Sequence, residues 1–125
     1  MLEINKLRLQ LINIQIGCIF RYARLKRGIS QDDLGLLIGY SSTMIGRVER
    51  FENFSGWDKI YTISEELNEN FDKLFILKTE SELLDIVSES FKLEDRLNQD
   101  KIDYYDFLKK TIKNNFTLLT KFKDA

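Results

Sequence analysis

Residues 30–50 of the chain read SQDDLGLLIGYSSTMIGRVER. It contains two apolar clusters that are separated by a glycine and a pair of serines. Within each cluster the apolar side chains recur at three- and four-residue spacing, which is the period of an amphipathic helix. The stretch therefore predicts two short helices joined by a tight turn. The side chains expected to face inward are Leu34, Leu37, Ile38, Ile45 and Val48.

Local capping signals place the ends of both helices. Ser30 can accept a hydrogen bond from the backbone of Asp33 while the Asp33 carboxylate reaches back, which is an aspartate version of the capping box. Gly39 supplies the left-handed residue that ends the first helix. Ser41 is a good N-cap for the next helix, which is predicted to span about residues 42–49.

The chain before residue 30 predicts a long helix whose start is ambiguous. Apolar residues from Ile16 to Ala23 share one helical face, and Gly28 supplies a left-handed end. Residues 7–11 alternate between apolar and polar as in a strand, but the first and last of them also continue the helical face. We favour a helix from about Ile12 or earlier, with a flexible or strand-like start.

Two more helices are predicted after residue 50. One begins at Ser55 or Gly56, and the other follows the cap residue Asn70. With the preceding three they make a five-helix domain, residues 1–77. Its self-contained core is expected to be Phe20, Leu34, Leu37, Ile45, Val48, Trp57, Ile60 and Leu74, with Tyr61, Phe71 and Phe75 also facing inward.

Residues 78–125 are predicted to form two C-terminal helices. They carry heptad-like seams at positions 83, 86, 90, 93 and 97 and at 105, 108, 112, 115, 119 and 122. This segment is too short to bury a core of its own reliably, so it must pack on the first domain or on a second copy of the chain. We expect it to supply a dimer interface or a partner-binding surface. A chain that ends near Lys78 is then expected to fold alone and to be monomeric.

Composition excludes several classes of site. Histidine is absent and Cys18 is the single cysteine, so an intrachain disulfide, the usual His/Cys zinc sites and the commonest general base are missing. The carboxylates Asp103 and Asp106 fit an ordinary helix surface better than acid–base catalysis. We therefore expect no enzyme activity, no cofactor and no metal.

Hydropathy and polarity point to a cytoplasmic protein. No stretch approaches the roughly 20 apolar residues that a membrane span needs. The N-terminal segment carries too many polar residues for a signal sequence. We therefore expect no membrane partner.

The net charge of −1 conceals an uneven distribution. Residues 1–50 hold eight Lys or Arg against four Asp or Glu, residues 51–77 hold two against six, and the remaining residues hold nine against ten. A surface that binds DNA is locally basic whatever the total charge, so the N-terminal part is favoured for such a surface. Chance clustering on a solvated surface is the alternative explanation of the charge pattern.

The series of predicted helices resembles the phage-repressor/Cro type (XRE-type) helix-turn-helix family over about Ile16 to Phe75, without a gap. The stretches that carry the resemblance are GISQDDLGLLIGYSSTMIGRVER at residues 28–50 and TISEELNENFDKLF at residues 62–75. The resemblance implies an all-α fold of five helices, lambda-repressor-like, with the helix-turn-helix proper at about residues 30–50. Its third helix would enter the major groove of double-stranded DNA.

The same resemblance implies roles for particular residues. Gln31 matches a glutamine that holds a DNA phosphate, at a helix N-terminus whose free amides also suit an anion. Arg24 and Glu49 match a structural ion pair that ties helix 1 to the end of helix 3. Arg47 is the one long reader of base edges, and Met44 could touch a thymine methyl group. The residues expected to meet DNA are Gln31, Ser41, Ser42, Thr43, Met44, Arg47 and Arg50.

Departures from the family pattern predict modest affinity. Gly46 stands in the recognition helix where the family commonly has serine, and Phe51 stands where a glycine often ends that helix. The following loop, FENFSGWD, has no basic residue. Ser42 and Thr43 are too short to discriminate bases well. Binding is therefore expected to depend on a dimer.

Two functions follow from these patterns. The preferred one is a sequence-specific transcriptional regulator that binds a short palindromic operator as a homodimer. The alternative is an antitoxin-like or co-regulatory protein whose main partner is another protein, bound through residues 78–125, with DNA binding secondary. The operator, the effector and the direction of regulation do not follow from the sequence.

Overall fold

The computed structural model describes Leu2–Asp124, and over this range the chain is all-helical, as predicted. It has six α-helices and one 3₁₀ turn there, and no strand. None of these helices is both long and apolar enough to cross a membrane. The elements are α1 (Leu2–Lys26), α2 (Gln31–Ile38), α3 (Ser42–Glu49), α4 (Trp57–Glu66), the 3₁₀ turn (Asp72–Phe75), α5 (Glu80–Leu93) and α6 (Gln99–Asp124).

Helix α1 is continuous from Leu2, so the expected strand-like start was wrong. Leu7 and Leu11 are buried and pack with Leu119 of α6, whereas Leu9 is 56% exposed. The alternating leucines therefore do not mark a strand. The helical face is selected by a partner from the other end of the chain.

The α2–α3 hairpin has the local caps that the sequence predicts. The Ser30 hydroxyl accepts from the backbone N–H of Asp33 at 2.9 Å, and the Asp33 carboxylate accepts from the N–H of Ser30 at 3.1 Å. Gly39 adopts a φ of +78°, a conformation that costs glycine little. The Ser41 hydroxyl accepts from the N–H of Met44 at 3.1 Å, which starts α3.

The first core cluster joins α1 to α2, α3, α4 and the 3₁₀ turn. Because α2, α3, α4 and the 3₁₀ turn are short, each of them contributes only one or a few side chains to the cluster. Burial of this cluster is what fixes α3 on α1. Its buried members are Ile16, Ile19, Phe20, Ala23, Leu34, Ile45, Val48, Ile60, Ile63, Leu67 and Leu74.

Four residues expected to face inward lie largely outside the core. Leu37 is 56% exposed and Trp57 is 72% exposed, because an eight- or ten-residue helix buries a narrow stripe and both side chains fall beside it. Tyr61 and Phe75 are also exposed in part, and each packs edge-to-face on Phe71. The predicted inward positions were therefore wrong for these four.

The expected fifth α-helix is a single 3₁₀ turn. Its N-cap is Phe71 and not the expected Asn70, although the side-chain oxygen of Asn70 accepts from the backbone N–H of Lys73 at 3.2 Å. The chain nevertheless leaves helical geometry at Ile76, which is extended. The helical pattern after Asn70 was therefore right in kind and wrong in length.

Gln15 of α1 fixes the chain where it leaves the 3₁₀ turn. This side chain is fully buried. Its Nε2 donates to the carbonyl oxygens of Leu74 and Ile76 at 3.0 and 2.8 Å, and its Oε1 accepts from the N–H of Lys78 at 2.8 Å. Because these bonds satisfy the backbone without a helix, the segment stays extended.

Helices α5 and α6 pack on α1, so the two apolar seams mostly face the chain's own first helix. The surface that the sequence offered for a second copy is thereby largely covered. Leu93, Leu97 and Phe122 are the seam positions that stay 39–50% exposed. The second core cluster consists of Ile14 and Cys18 of α1 with Leu83, Val87, Tyr105, Leu108 and Ile112.

Candidate nucleic-acid interface

Helix α3 is held by one face and presents the other to solvent. Ile45 and Val48 are buried in the first core cluster. Thr43 and Arg47 are exposed, and Met44 is half-buried. A long cationic side chain on a helix that is fixed from behind has the form needed to reach a base edge.

Arg50 lies back along α3 and is paired. Its Nε is 2.6 Å from a carboxylate oxygen of Glu52, and both side chains are more than a third exposed. A Cβ at Gly46 would lie 2.8 Å from Nη1 of Arg50. The close neighbour of position 46 is therefore the flexible end of a side chain and not the backbone. Exposed pairs of this kind are weak, about 0–1 kcal/mol.

Glu49, the last residue of α3, is the buried centre of the ionic contacts. Its side chain is 1% exposed. Arg24 donates to both of its carboxylate oxygens, from Nε at 2.6 Å and from Nη2 at 3.0 Å. Arg24 also donates to the carbonyl of Ile29 at 2.9 Å. The structure thus brings Arg24 and Glu49 together and ties α3 to the end of α1.

Gln31, the first residue of α2, also contacts Glu49. Its Nε2 donates to Oε1 of Glu49 at 3.0 Å. Asp32 and Asp33 follow directly, and Asp33 is already engaged in the capping box. Two carboxylates beside the helix N-terminus oppose an anion there, so Gln31 supplies the neutral donor at this position.

Arg21 and Glu94 belong to the same buried ionic network, and neither was predicted from the sequence. Nε of Arg21 lies 3.6 Å from Oε1 of Glu49, and Nη1 lies 3.4 Å from Oε1 of Glu94. Tyr105 donates to Glu94 at 2.8 Å, and the Lys101 ammonium lies 3.4 Å from its other oxygen. Arg21 could have been suspected, because it precedes Arg24 by one helical turn. Glu94 gives no local signal.

The guanidinium of Arg21 lies against two aromatic rings. Its central carbon is 4.8 Å from the ring centre of Tyr104 and 5.8 Å from that of Tyr105. Burial lowers the pKa of Arg21, but the charge of Glu49 and the two tyrosines outweigh it and hold that pKa above its ordinary value. Arg21 therefore stays charged between two carboxylates.

A cleft separates the α2–α3 hairpin from the α5–α6 junction. It has a volume of about 820 Å³ and is lined by Gln31, Ser42 and Arg50 on one side and by Glu94 and Lys101 on the other. Ser41, Thr43, Met44 and Arg47 are not among its lining residues. The predicted DNA contacts thus divide into a group beside the C-terminal helices and a group on the open face of α3.

Cys18 lies next to this network, and its thiol is unreactive. Burial raises the pKa of its thiol to about 12, which keeps it neutral at physiological pH. No group of three or more Cys, Asp or Glu side chains with a metal-binding arrangement occurs among the residues that the structure describes.

Comparison of the chain with protein-family models, with curated proteins and with solved structures finds no match.

Proposed function

We propose that the chain is a sequence-specific DNA-binding protein that regulates transcription through α3. The observation that carries the proposal is the exposed Arg47 on a capped helix whose opposite face is fixed by Ile45, Val48 and Glu49. A helix that contacts base edges must be fixed on the face that packs on the protein and exposed on the face that meets DNA, since contacts to base edges depend on position. The resemblance of residues 16–75 to the helix-turn-helix family points the same way.

The proposed contacts divide into base reading and positioning. Arg47 reads a base edge in the major groove, with Thr43 and Met44 beside it. Gln31 and Arg50 would hold phosphates, since both line the cleft beside the hairpin and carry N–H donors. Ser41 and Ser42 lie at the N-terminus of α3, where backbone amides face the duplex.

The homodimer remains part of the proposal, but with another contact surface. Two copies would place α3 in half-sites about one helical turn apart. The seams of α5 and α6 are mostly buried against α1. Any contact between copies must therefore use residues other than these buried seam positions.

The test is a selection of bound duplexes from a random pool at a stated salt concentration, followed by measurement of Arg47→Ala. We expect Arg47→Ala to weaken binding to the selected duplex by about 1–3 kcal/mol, and to relax its preference, while the helical spectrum is unchanged. Arg8→Ala is the matched control, because Arg8 is also an exposed arginine but lies at the start of α1. Equal effects of the two substitutions would contradict the assignment of α3.

A protein partner is the second candidate, and the C-terminal part of α6 favours it. Residues 107–123 carry five lysines and no acidic residue. Phe107, Leu118 and Phe122 are 41–55% exposed on the same segment. A surface that mixes lysines with apolar side chains suits an acidic, partly apolar protein surface.

The second candidate has its own test. The tagged chain and its Lys110→Glu/Lys113→Glu variant would be purified from the native cells. Stoichiometric recovery of one other protein, lost in the variant, together with no enriched duplex in the selection, would favour this function over the first.

A further inference from the structure

We infer that Glu94, at the junction of α5 and α6, is a positioning residue that decides whether one or both N–H groups of the Gln31 amide are available to DNA phosphates. It acts through Arg21 and Glu49. The inference rests on the proposed function and adds a link from the C-terminal helices to the DNA contacts.

The first step is competition for one carboxylate oxygen. Oε1 of Glu49 accepts from Nε2 of Gln31 and from Nη2 of Arg24, both at 3.0 Å. Nε of Arg21 is 3.6 Å from the same oxygen and is buried without a hydrogen-bond partner among the described residues. A carboxylate oxygen offers about two acceptor positions, so Arg21 could bond fully to this oxygen only by displacing Gln31 or Arg24.

Of the two donors to Oε1 of Glu49, Gln31 is the one that Arg21 would displace. Arg24 holds Glu49 through two hydrogen bonds between opposite charges, whereas Gln31 is neutral and makes one. Hydrogen bonds between ionised groups are roughly twice as strong as neutral ones. The Gln31 amide has two N–H groups, and one of them is held by Glu49. An advance of Arg21 therefore releases that second donor.

Glu94 prevents that advance. Its side chain is 6% exposed, and its Oε1 lies 3.4 Å from Nη1 of Arg21. The Tyr105 hydroxyl at 2.8 Å and the Lys101 ammonium at 3.4 Å fix Glu94 in place. Arg21 is thus held between two carboxylates. The carboxylate of Glu94, at the α5–α6 junction, prevents Arg21 from coming within hydrogen-bond distance of Glu49.

The consequence is a gain of DNA affinity when the charge of Glu94 is removed. In Glu94→Gln, Arg21 moves onto Glu49, and the N–H of Gln31 that Glu49 held becomes free to donate to phosphate in addition to the other N–H. One additional hydrogen bond of ordinary net strength gives binding about 2- to 10-fold tighter. The gain should be the same for all duplexes, because a phosphate contact positions without specifying sequence.

The experiment measures dissociation constants for the full chain, for Glu94→Gln, for Gln31→Ala and for the double variant, on one selected and one scrambled duplex. We expect the gain of Glu94→Gln on both duplexes and its absence when Gln31 is alanine. Glu89→Gln is the matched control, since it removes the same charge from an exposed site on α5. A gain that persists without Gln31, a gain equalled by Glu89→Gln, or no gain at all would overturn the inference.

A second variant covers the case in which Glu94→Gln does not fold. Glu94→Asp keeps the charge but sets it back by one methylene group, so we expect a smaller gain that again requires Gln31. No gain in folded Glu94→Asp would then overturn the inference. If the chain binds no duplex, the proposed function fails together with the inference. If Gln31→Ala weakens binding but neither Glu94 variant strengthens it, the inference fails alone.

Discussion

Replacement of Gln15 should lower the free energy of unfolding, because its side chain bonds to the backbone of a distant segment. Gln15→Leu keeps the size of the side chain but leaves the carbonyls of Leu74 and Ile76 and the N–H of Lys78 without their partner. Each buried polar group left unpaired costs about 1–3 kcal/mol, and groups near the surface regain water. We expect the free energy of unfolding, measured in urea, to fall by about 2–4 kcal/mol.

Gln10→Leu, at an exposed position of the same helix, is the control and should change stability by no more than about 0.5 kcal/mol. Similar losses for the two variants would show that the bonds of Gln15 are unimportant.

Arg24 and Glu49 should prove strongly coupled. Arg24→Ala leaves a carboxylate that is 1% exposed without its main partner. Breaking a fully buried pair costs up to about 3–5 kcal/mol, and the loss is smaller here because Arg21 lies 3.6 Å from the same carboxylate. The double variant Arg24→Met/Glu49→Leu should recover part of that loss, since no charge is then left unpaired. A double-mutant cycle of thermal unfolding measures the coupling. Strict additivity would mean that the two side chains do not interact.

At the scale of the element, the sequence predicts what is decided locally. Ser30, Gly39 and Ser41 place the ends of α2 and α3, because each cap is satisfied within a few residues. The burial of Leu37 and Trp57 was mispredicted, since periodicity does not say which edge of a short helix the core covers. The end of the 3₁₀ turn depends on Gln15, 59 residues before Leu74, and no local pattern contains that information.

Helices α1 and α3 approach closely at Gly17, and this contact predicts whether an alanine there stabilises or destabilises the fold. A Cβ on Gly17 would lie 2.6 and 2.7 Å from the carbonyl oxygens of Glu49 and Val48, which are backbone atoms and cannot turn aside. Gly17→Ala should therefore destabilise the fold by about 1–3 kcal/mol, although alanine is the better helix former by about 1 kcal/mol.

Gly46→Ala is the matched control for that prediction. A Cβ there would meet the guanidinium of Arg50, which is flexible and exposed in part. We expect Gly46→Ala to be neutral or stabilising in the same denaturant titration. A stabilising effect of Gly17→Ala would contradict the contact between α1 and α3.

At the scale of the whole molecule, the candidate site was only partly visible in the sequence. Gln31 and Arg47 follow from a motif that is continuous along the chain. Arg21 and Glu94 come together from α1 and from the junction of α5 and α6, 73 residues apart. Such a pair is set by how α5 and α6 pack on α1, which the seam pattern left open between two alternatives.

The packing of α5 and α6 also reverses the expected behaviour of a shortened chain. A chain that ends at Lys78 would expose Leu7, Leu11, Ile14 and Cys18, all of which are buried against the missing helices. Burial of each large apolar side chain contributes about 1.5–3 kcal/mol, and the total stability of a domain is about 5–15 kcal/mol. We expect this chain to lose cooperative unfolding, measured by circular dichroism during heating, and to associate in sedimentation. A cooperative monomer would restore the sequence-based expectation of an independent domain.

The contact between the start of α1 and the end of α6 has a consequence for the order of folding. Leu7 and Leu11 pack with Leu119, so about a hundred residues separate the partners. Contacts within α2, α3 and α4 join near neighbours instead. Loop-closure entropy delays contacts between distant residues until other structure has shortened the path between them. The hairpin should therefore form early, and the two ends of the chain should be the last region to dock and the first to open in the native state.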